Sequence, residues 1–330
     1  MNETIILNQS EIKELIEMKE VIDSVQTAYS EQAGEKVQMP PKEYLFFQKF
    51  SGDLRIMPCY LQNMEKAGVK CVNVHPNNPQ KHALPTVMGI IELIDPATGF
   101  PLAIMDGTWI TNMRTGAAGG VGTKFLARKD SETLGIVGAG KQAYAQLMAI
   151  NEVMDIEKVL VYCRTCSSRE NFAKKVSEKY GISVKAVDSP QKAVENMDVV
   201  VTVTPANKPV IKSEWISSGT HINAMGADAP GKQEIDSSLL LKSKIFIDCW
   251  EQASHSGEIN IPLSDGIIQK KDISGKLGDV IIGKNPGRTS NDEITIFDST
   301  GLAVQDITTA WKVYEKAKNL KLGHKINFLE

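Results

Sequence analysis

From Thr133 the sequence runs through an apolar stretch, Thr133-Leu-Gly-Ile-Val137, into Gly138-Ala-Gly140-Lys-Gln-Ala143 and then a series of good helix formers. A G-x-G-x-x-A turn between strand and helix is what a dinucleotide pyrophosphate requires. The first glycine makes the tight turn, the second lets backbone approach the phosphates, and the small third residue lets helix pack on strand. The anion then rests on a helix N-terminus, here opened by Lys141, Gln142 and Ala143, where N–H groups and the helix dipole favour negative charge. A lone glycine triplet is weak evidence. This one is followed by a second apolar strand, Lys158 to Tyr162, and a second helical pattern, Ser168 to Tyr180, which supply the βαβ context that the reading needs.

An NAD site places Asp or Glu at the end of the second strand to accept from the ribose 2′-hydroxyl. Here that place reads Tyr162-Cys163-Arg164-Thr165-Cys166-Ser167-Ser168-Arg169, without a carboxylate. Arginine pairs with phosphate bidentately, so Arg164, with Thr165 beside it, is expected to meet a 2′-phosphate. NADP(H) is the favoured cofactor and NAD(H) the alternative; the competing reading leaves Arg164 and Arg169 merely solvated. Cys163 and Cys166 have C-x-x-C spacing, but no second pair and no paired His follows, so no metal is expected.

Four further islands place charged or hydroxyl residues within apolar strands or tight turns, where an unpaired charge is costly. They are Gly52-Asp-Leu-Arg55-Ile-Met-Pro58, Ala67-Gly-Val-Lys70-Cys-Val-Asn73, Thr108-Trp-Ile-Thr-Asn-Met-Arg114-Thr115-Gly116 and Gly226-Ala-Asp228-Ala-Pro-Gly-Lys232-Gln-Glu234.

The elements that must position these residues follow from periodicity. Glu11 to Ala33 shows apolar residues at helical spacing, with Asn8 and Ser10 as capping candidates. Tyr44 to Phe47, Leu54 to Tyr60, Val69 to Val74, Val87 to Ile94 and Leu102 to Met105 read as strands joined by tight turns, hence an antiparallel sheet. Arg114 to Ala127 reads as a Gly/Ala-rich helix. Beyond it, strands at Gly135, Val159 to Tyr162, Ser183 to Val187, Val199 to Thr204, His221 to Ala224 and Lys244 to Asp248 alternate with helices, the order of a doubly wound parallel sheet. A last amphipathic helix, Gly301 to Lys318, is expected to return to the N-terminal sheet. The fold class is therefore α/β: a Rossmann domain over 118–299, and a discontinuous α+β sheet domain over 1–117 with 300–330.

At 330 residues the chain suits about two domains. A net charge of −3 gives no reason to expect nucleic acid or an anionic membrane as partner. No run approaches the roughly 18 apolar residues of a membrane span, and no cationic stretch precedes an apolar one at Met1 to Gln9. Five scattered cysteines, an odd number, suit reduced thiols, and with these features a cytoplasmic protein is expected.

These islands, with Leu84-Pro-Thr86-Val-Met, Gly257-Glu258-Ile-Asn260 and Ile296-Phe-Asp298-Ser299-Thr300-Gly301, resemble the ornithine cyclodeaminase/μ-crystallin family over essentially the whole chain, and within it the alanine dehydrogenase branch. The resemblance implies a homodimer formed through the sheet domain, with substrate in the cleft beside the Rossmann domain. It makes Lys70 the active-site lysine, Arg55 the carboxylate-binding arginine, Arg114 the arginine near cofactor phosphates and substrate, and Asp228 the acid that works on the substrate amine. It also puts Thr86 with the substrate, and Thr115, Thr202, Thr204, Met225, Gly226 and Ser299 with the cofactor.

Those roles make chemical sense. Reductive amination of a 2-oxo acid needs a cation for the carboxylate, a proton donor at the reacting centre, and hydride delivered to the same carbon. Lys70, desolvated near Arg55, is expected to have a lowered pKa. Cyclodeaminases of the family resemble one another in a Glu just before the Met-Pro turn that holds a distal ammonium. This chain carries Arg55 in that neighbourhood, which repels a diamine and suits L-alanine and pyruvate. Ornithine cyclodeamination, cyclic ketimine reduction and NADPH-dependent ligand binding of the μ-crystallin type remain the alternatives.

Overall fold

Two hydrophobic periodicities build two different sheets. The computed structural model describes residues 3–328, and the chain divides into two compact units between Arg114 and Thr115 and between Gly301 and Leu302. The first unit is discontinuous in sequence. Its strands are β1 (Thr4–Leu7), β2 (Val37–Gln38), β3 (Glu43–Phe47), β4 (Gly52–Leu61), β5 (Lys66–Val74), β6 (Val87–Ile94), β7 (Pro101–Asp106) and, from the far end of the chain, β16 (His324–Ile326). They lie in the order β16-β1-β7-β6-β5-β4-β2, with β3 also on β4. Pairing from β3 through β7 is antiparallel, while β1 joins β7 in parallel.

Period-two alternation gives that sheet one buried face, lined by Met57, Cys59, Leu61, Val72, Ile91, Leu93, Ala103 and Met105. Helices α1 (Gln9–Leu15) and α2 (Met18–Ala33) belong to this unit, as does the last helix, α6 (Ala303–Leu320), which packs on β4, β5, β6 and α2.

The second unit holds a sheet in which every pairing is parallel: β8 (Thr133–Val137), β9 (Lys158–Tyr162), β10 (Ser183–Ala186), β11 (Val199–Thr202), β12 (His221–Ala224), β13 (Ser243–Ile247), β14 (Ile273–Lys276) and β15 (Ile294–Asp298). The order is β10-β9-β8-β11-β12-β15-β13-β14. Runs such as Val199-Val200-Val201 are buried throughout, as strands covered on both faces must be. The order reverses between β8 and β11, and ligands of doubly wound sheets bind outside the carboxyl ends of the strands at such a switch point. Helix α4 (Lys141–Val153) follows β8 and α5 (Cys166–Tyr180) follows β9.

Several expectations shift. The single helix expected over Glu11 to Ala33 is two helices, because Ile16 and Glu17 are extended and Glu17 caps the second, its N–H donating to Glu20 Oε2 at 3.2 Å. The first is closed by an Asn8–Glu11 capping box. The helix expected from Arg114 begins seven residues earlier, as α3 (Gly107–Leu126), where Asp106 Oδ2 accepts from Trp109 N at 2.8 Å. Strands β1, β2, β14, β15 and β16 add to those expected. Among the described residues no helix is long and apolar enough to cross a membrane.

Candidate active site

In the first unit, β4 and β5 pair so that Met57 faces Lys70 and Arg55 faces Val72. Arg55 and Lys70 therefore lie diagonally on the buried face, with Cα atoms about 7–8 Å apart. Lys70 is fully buried, and its Nζ donates to Asp306 Oδ2 at 2.5 Å. The other carboxylate oxygen accepts from Arg114 Nε at 2.8 Å. Arg114 Nη1 also donates to Gln305 Oε1 at 3.1 Å, and Gln305 Nε2 to the Tyr29 hydroxyl at 2.7 Å. Two cations thus share one carboxylate from the first turn of α6. Burial and the neighbouring Arg114 guanidinium push the Lys70 ammonium down to about 7, while Asp306 pulls the other way. That places Lys70 where a proton can be given or taken near neutral pH.

Arg55 is also buried, its guanidinium over the Tyr44 ring at 5.3 Å, with Nε 2.9 Å from Asp53 Oδ1 and Nη2 3.2 Å from Asp53 Oδ2. The bidentate pairing fixes the plane of the guanidinium. Thr86 lies just before β6, its carbonyl accepting from His75 N at 2.8 Å.

In the second unit the expected cofactor residues line the carboxyl ends of parallel strands. Gly138, at φ +121°, follows β8, and a Cβ there would stand 2.6 Å from the Val203 carbonyl beyond β11. Gly140 is the N-cap of α4, where no side chain caps the helix, and a Cβ at Gly140 would meet nothing within 4 Å. Ala143 is buried against the strand layer, and the Gln142 Oε1 atom is buried without a partner. Lys141 is exposed at the same helix end. Thr202 closes β11; Met225 and Gly226 follow β12; Ser299 follows β15 with its hydroxyl buried and unpartnered. Thr115 supplies its carbonyl to Gln146 Nε2 of α4 at 2.9 Å. An open glycine cradle, an uncapped helix end and orphaned polar atoms at the strand ends fit a pyrophosphate-linked dinucleotide. After β9, Arg164 and Thr165 are exposed, whereas Arg169 is engaged, donating to the Cys163 carbonyl at 2.9 Å beside the Tyr162 ring.

Asp228, also in this unit, is half-exposed and pairs with Lys232 at 2.5 Å. Its loop is held by Glu234, a buried carboxylate that sequence reasoning left without a role. Asp306 went unnoticed too. Its signal was a carboxylate at helical spacing from Leu302 and Ala310, on a stripe that is otherwise apolar.

The parallel sheet with its glycine turn defines a protein of the dinucleotide-binding Rossmann type, and its other unit is a sheet that bears a buried lysine. Residues 2–321 match the model of the ornithine cyclodeaminase/mu-crystallin family, and the chain belongs to that family. It is 51% identical to the alanine dehydrogenase of Archaeoglobus fulgidus over 99% of both chains. Among solved structures, an archaeal alanine dehydrogenase dimer with bound NAD superposes with a TM-score of 0.95 at 50% identity, covering 99% of this chain and 100% of that one. Thermococcus litoralis Δ1-pyrroline-2-carboxylate reductase, in complex with NADH and L-proline, gives a TM-score of 0.95 at 43% identity, covering 98% and 100%.

Proposed function

We propose that the chain is a nicotinamide-dependent amino-acid dehydrogenase that interconverts L-alanine with pyruvate and ammonia. The observation that carries this reading is the 51% identity to the A. fulgidus alanine dehydrogenase across 99% of both chains. In the oxidative direction L-alanine, oxidised cofactor and water give pyruvate, ammonium, reduced cofactor and a proton. When bound, the nicotinamide supplies the acceptor for the hydride leaving the α-carbon.

The protein's own residues supply the rest. Arg55, its plane set by Asp53, and Arg114 bind the substrate carboxylate, with Thr86 beside it. Lys70 Nζ takes a proton from the water that adds to the imine carbon, and returns it to the carbinolamine oxygen in reverse. Asp228 takes the proton that the substrate ammonium must lose before hydride leaves the α-carbon, and returns it to the departing ammonia. Gly138, Gly140 and the N-terminus of α4 cradle the pyrophosphate, and Thr115, Thr202, Thr204, Met225, Gly226 and Ser299 line the remainder of the cofactor site. Exposed Arg164, with no carboxylate at the end of β9, supports use of NADP(H) as well as the NAD(H) type held by both solved relatives.

The sheet face opposite Lys70 supports a homodimer. Leu45 and Ile90 on that face are 54% and 55% exposed, beside Leu54 and Ile56, and the solved archaeal alanine dehydrogenase is a dimer. Free cysteines support a cytoplasmic setting. Cyclic ketimine reduction is the second reading, favoured by the likeness to the pyrroline-carboxylate reductase.

A substrate panel separates the readings. Pyruvate plus ammonia, Δ1-pyrroline-2-carboxylate and L-ornithine are each offered with both cofactors while nicotinamide absorbance is followed. The highest kcat/KM with pyruvate and ammonia supports the proposal; a higher value with the cyclic imine overturns it.

A further inference from the structure

Glu234 is fully buried, and its carboxylate accepts from backbone and hydroxyl groups of its own unit. Oε1 accepts from Thr204 N at 2.6 Å and Thr204 Oγ1 at 2.7 Å. Oε2 accepts from Gly226 N at 2.8 Å. One carboxylate therefore ties the segment leaving β11 to the segment leaving β12. It also closes the loop 226–234 on itself, because donor and acceptor are that loop's two ends. Glu234 is itself held from behind: its N–H lies 2.9 and 3.0 Å from the two oxygens of Glu258, and Ile235 N lies 2.6 Å from Glu258 Oε1. Asn260 pins the middle of the loop, accepting from Gly231 N at 3.1 Å and donating to the Lys232 carbonyl at 2.9 Å. No slack remains at the closing point, since a Cβ on Gly226 would stand 2.3 Å from the Thr204 carbonyl and 2.4 Å from Glu234 Oε2.

Asp228 sits on this loop, two residues beyond Gly226. A fully buried carboxylate is expensive to keep, and a neutral amide in its place can accept at only one of its two ends. We propose that Glu234 is a positioning residue for Asp228: by accepting from Thr204 and Gly226 at once, it fixes the peptide from which the Asp228 side chain reaches the substrate amine. The inference rests on the role given to Asp228 in the proposed function. Glu234 touches neither substrate nor the reacting atoms, so it acts through the segments it holds: through the Asp228 loop on rate, and through Thr204 and Gly226 on cofactor binding, and a measured cofactor affinity separates the two routes.

A double-mutant cycle tests this, because residues that act as one unit are not additive. Glu234→Gln is expected to lower kcat about 100-fold, the scale of a misplacement of about 1 Å, with cofactor affinity, read by protein fluorescence, changed less than about threefold. In an Asp228→Asn background the same substitution is expected to change kcat by less than about twofold. Hydrogen exchange in the cofactor-free protein gives a readout apart from turnover: the Gly226 or Thr204 amide loses protection in Glu234→Gln. If Glu234→Gln does not fold, Thr204→Val keeps the backbone N–H bond to Glu234 and removes the hydroxyl's bonds to Glu234 and to Ala206 N. A smaller fall in kcat that again vanishes in the Asp228→Asn background is then the expected result. A full Glu234→Gln effect persisting beside Asp228→Asn, unchanged amide protection, or a loss of cofactor affinity well beyond threefold, the sign of an effect through Thr204 and Gly226 on the cofactor, overturns the inference while leaving Asp228's role intact. Wild-type kcat in Asp228→Asn alone overturns that role, and the inference with it.

Discussion

At the scale of single residues, the proposed chemistry rests on Lys70 and its partner Asp306. Lys70 is held at about 7 by burial and by Arg114, against the pull of Asp306. In the oxidative direction, where Lys70 must accept a proton, kcat/KM is expected to rise with pH through about 7; in the reductive direction, where it donates, to fall through the same point. Asp306→Asn removes the group that raises the value, so both inflections move to lower pH. An unmoved inflection in a pH profile of that variant would assign the titration to another group. The exposed cation at Arg164 makes a second claim: Arg164→Ala weakens NADPH by about tenfold or more and NADH little, measured by fluorescence titration. Equal weakening of both would remove the 2′-phosphate contact. The charges in apolar strands, Arg55 and Lys70, stood out in the sequence because an unpaired charge there is so unfavourable. Their partners did not. Asp306 lies more than 230 residues from Lys70 in the chain, and only folding shows which distant carboxylate offsets a buried cation.

Among the elements, α3 and α4 show how glycine can mark contact rather than flexibility. A Cβ on Gly116 would stand 2.4 Å from the Ala145 carbonyl oxygen, and one on Gly120 2.9 Å from Ala149 Cβ. Gly116→Val is therefore expected to overpack this contact, cost about 1–3 kcal/mol in chemical unfolding, and displace the helix whose N-terminus opens the phosphate loop. Unchanged stability together with unchanged cofactor affinity would contradict the account. A buried carboxyl closes β15. Burial pushes Asp298 up from 3.8 to about 8. Its folded value lies above its unfolded one, so the stability it contributes is present at low pH and is lost as pH rises from about 4 through about 8. Asp298→Asn is expected to flatten that part of the Tm-against-pH curve, and an unchanged slope would contradict it. Strands with clean period-two alternation, such as β4 and β5, were legible. β14 and β15 were not, because each offers only a few apolar residues after a long polar stretch. The seam at Ile16-Glu17 was hidden because apolar spacing continues across it while the backbone does not.

At the scale of the whole molecule, the amphipathic pattern of Gly301 to Lys318 raised the expectation of a helix that returns to the N-terminal sheet, and α6 packs on β4, β5 and β6. The insertion of β15 between β12 and β13 was not visible, since strand order depends on long-range pairing that local periodicity does not encode. The uncovered sheet face makes its own prediction. Ile90→Asp is expected to shift sedimentation from dimer to monomer, and a persistent dimer would place the interface elsewhere. In the proposed function, Lys70 exchanges the proton in alanine–pyruvate interconversion. The most direct test of that role is the initial rate of wild type and Lys70→Met with L-alanine and oxidised cofactor, with cofactor affinity measured in parallel. Turnover in the wild type, a fall of about 10²–10⁴-fold in the variant, and nearly equal cofactor affinity are expected. Near-wild-type turnover in Lys70→Met, or no turnover of alanine by the wild type with either cofactor, would contradict that role.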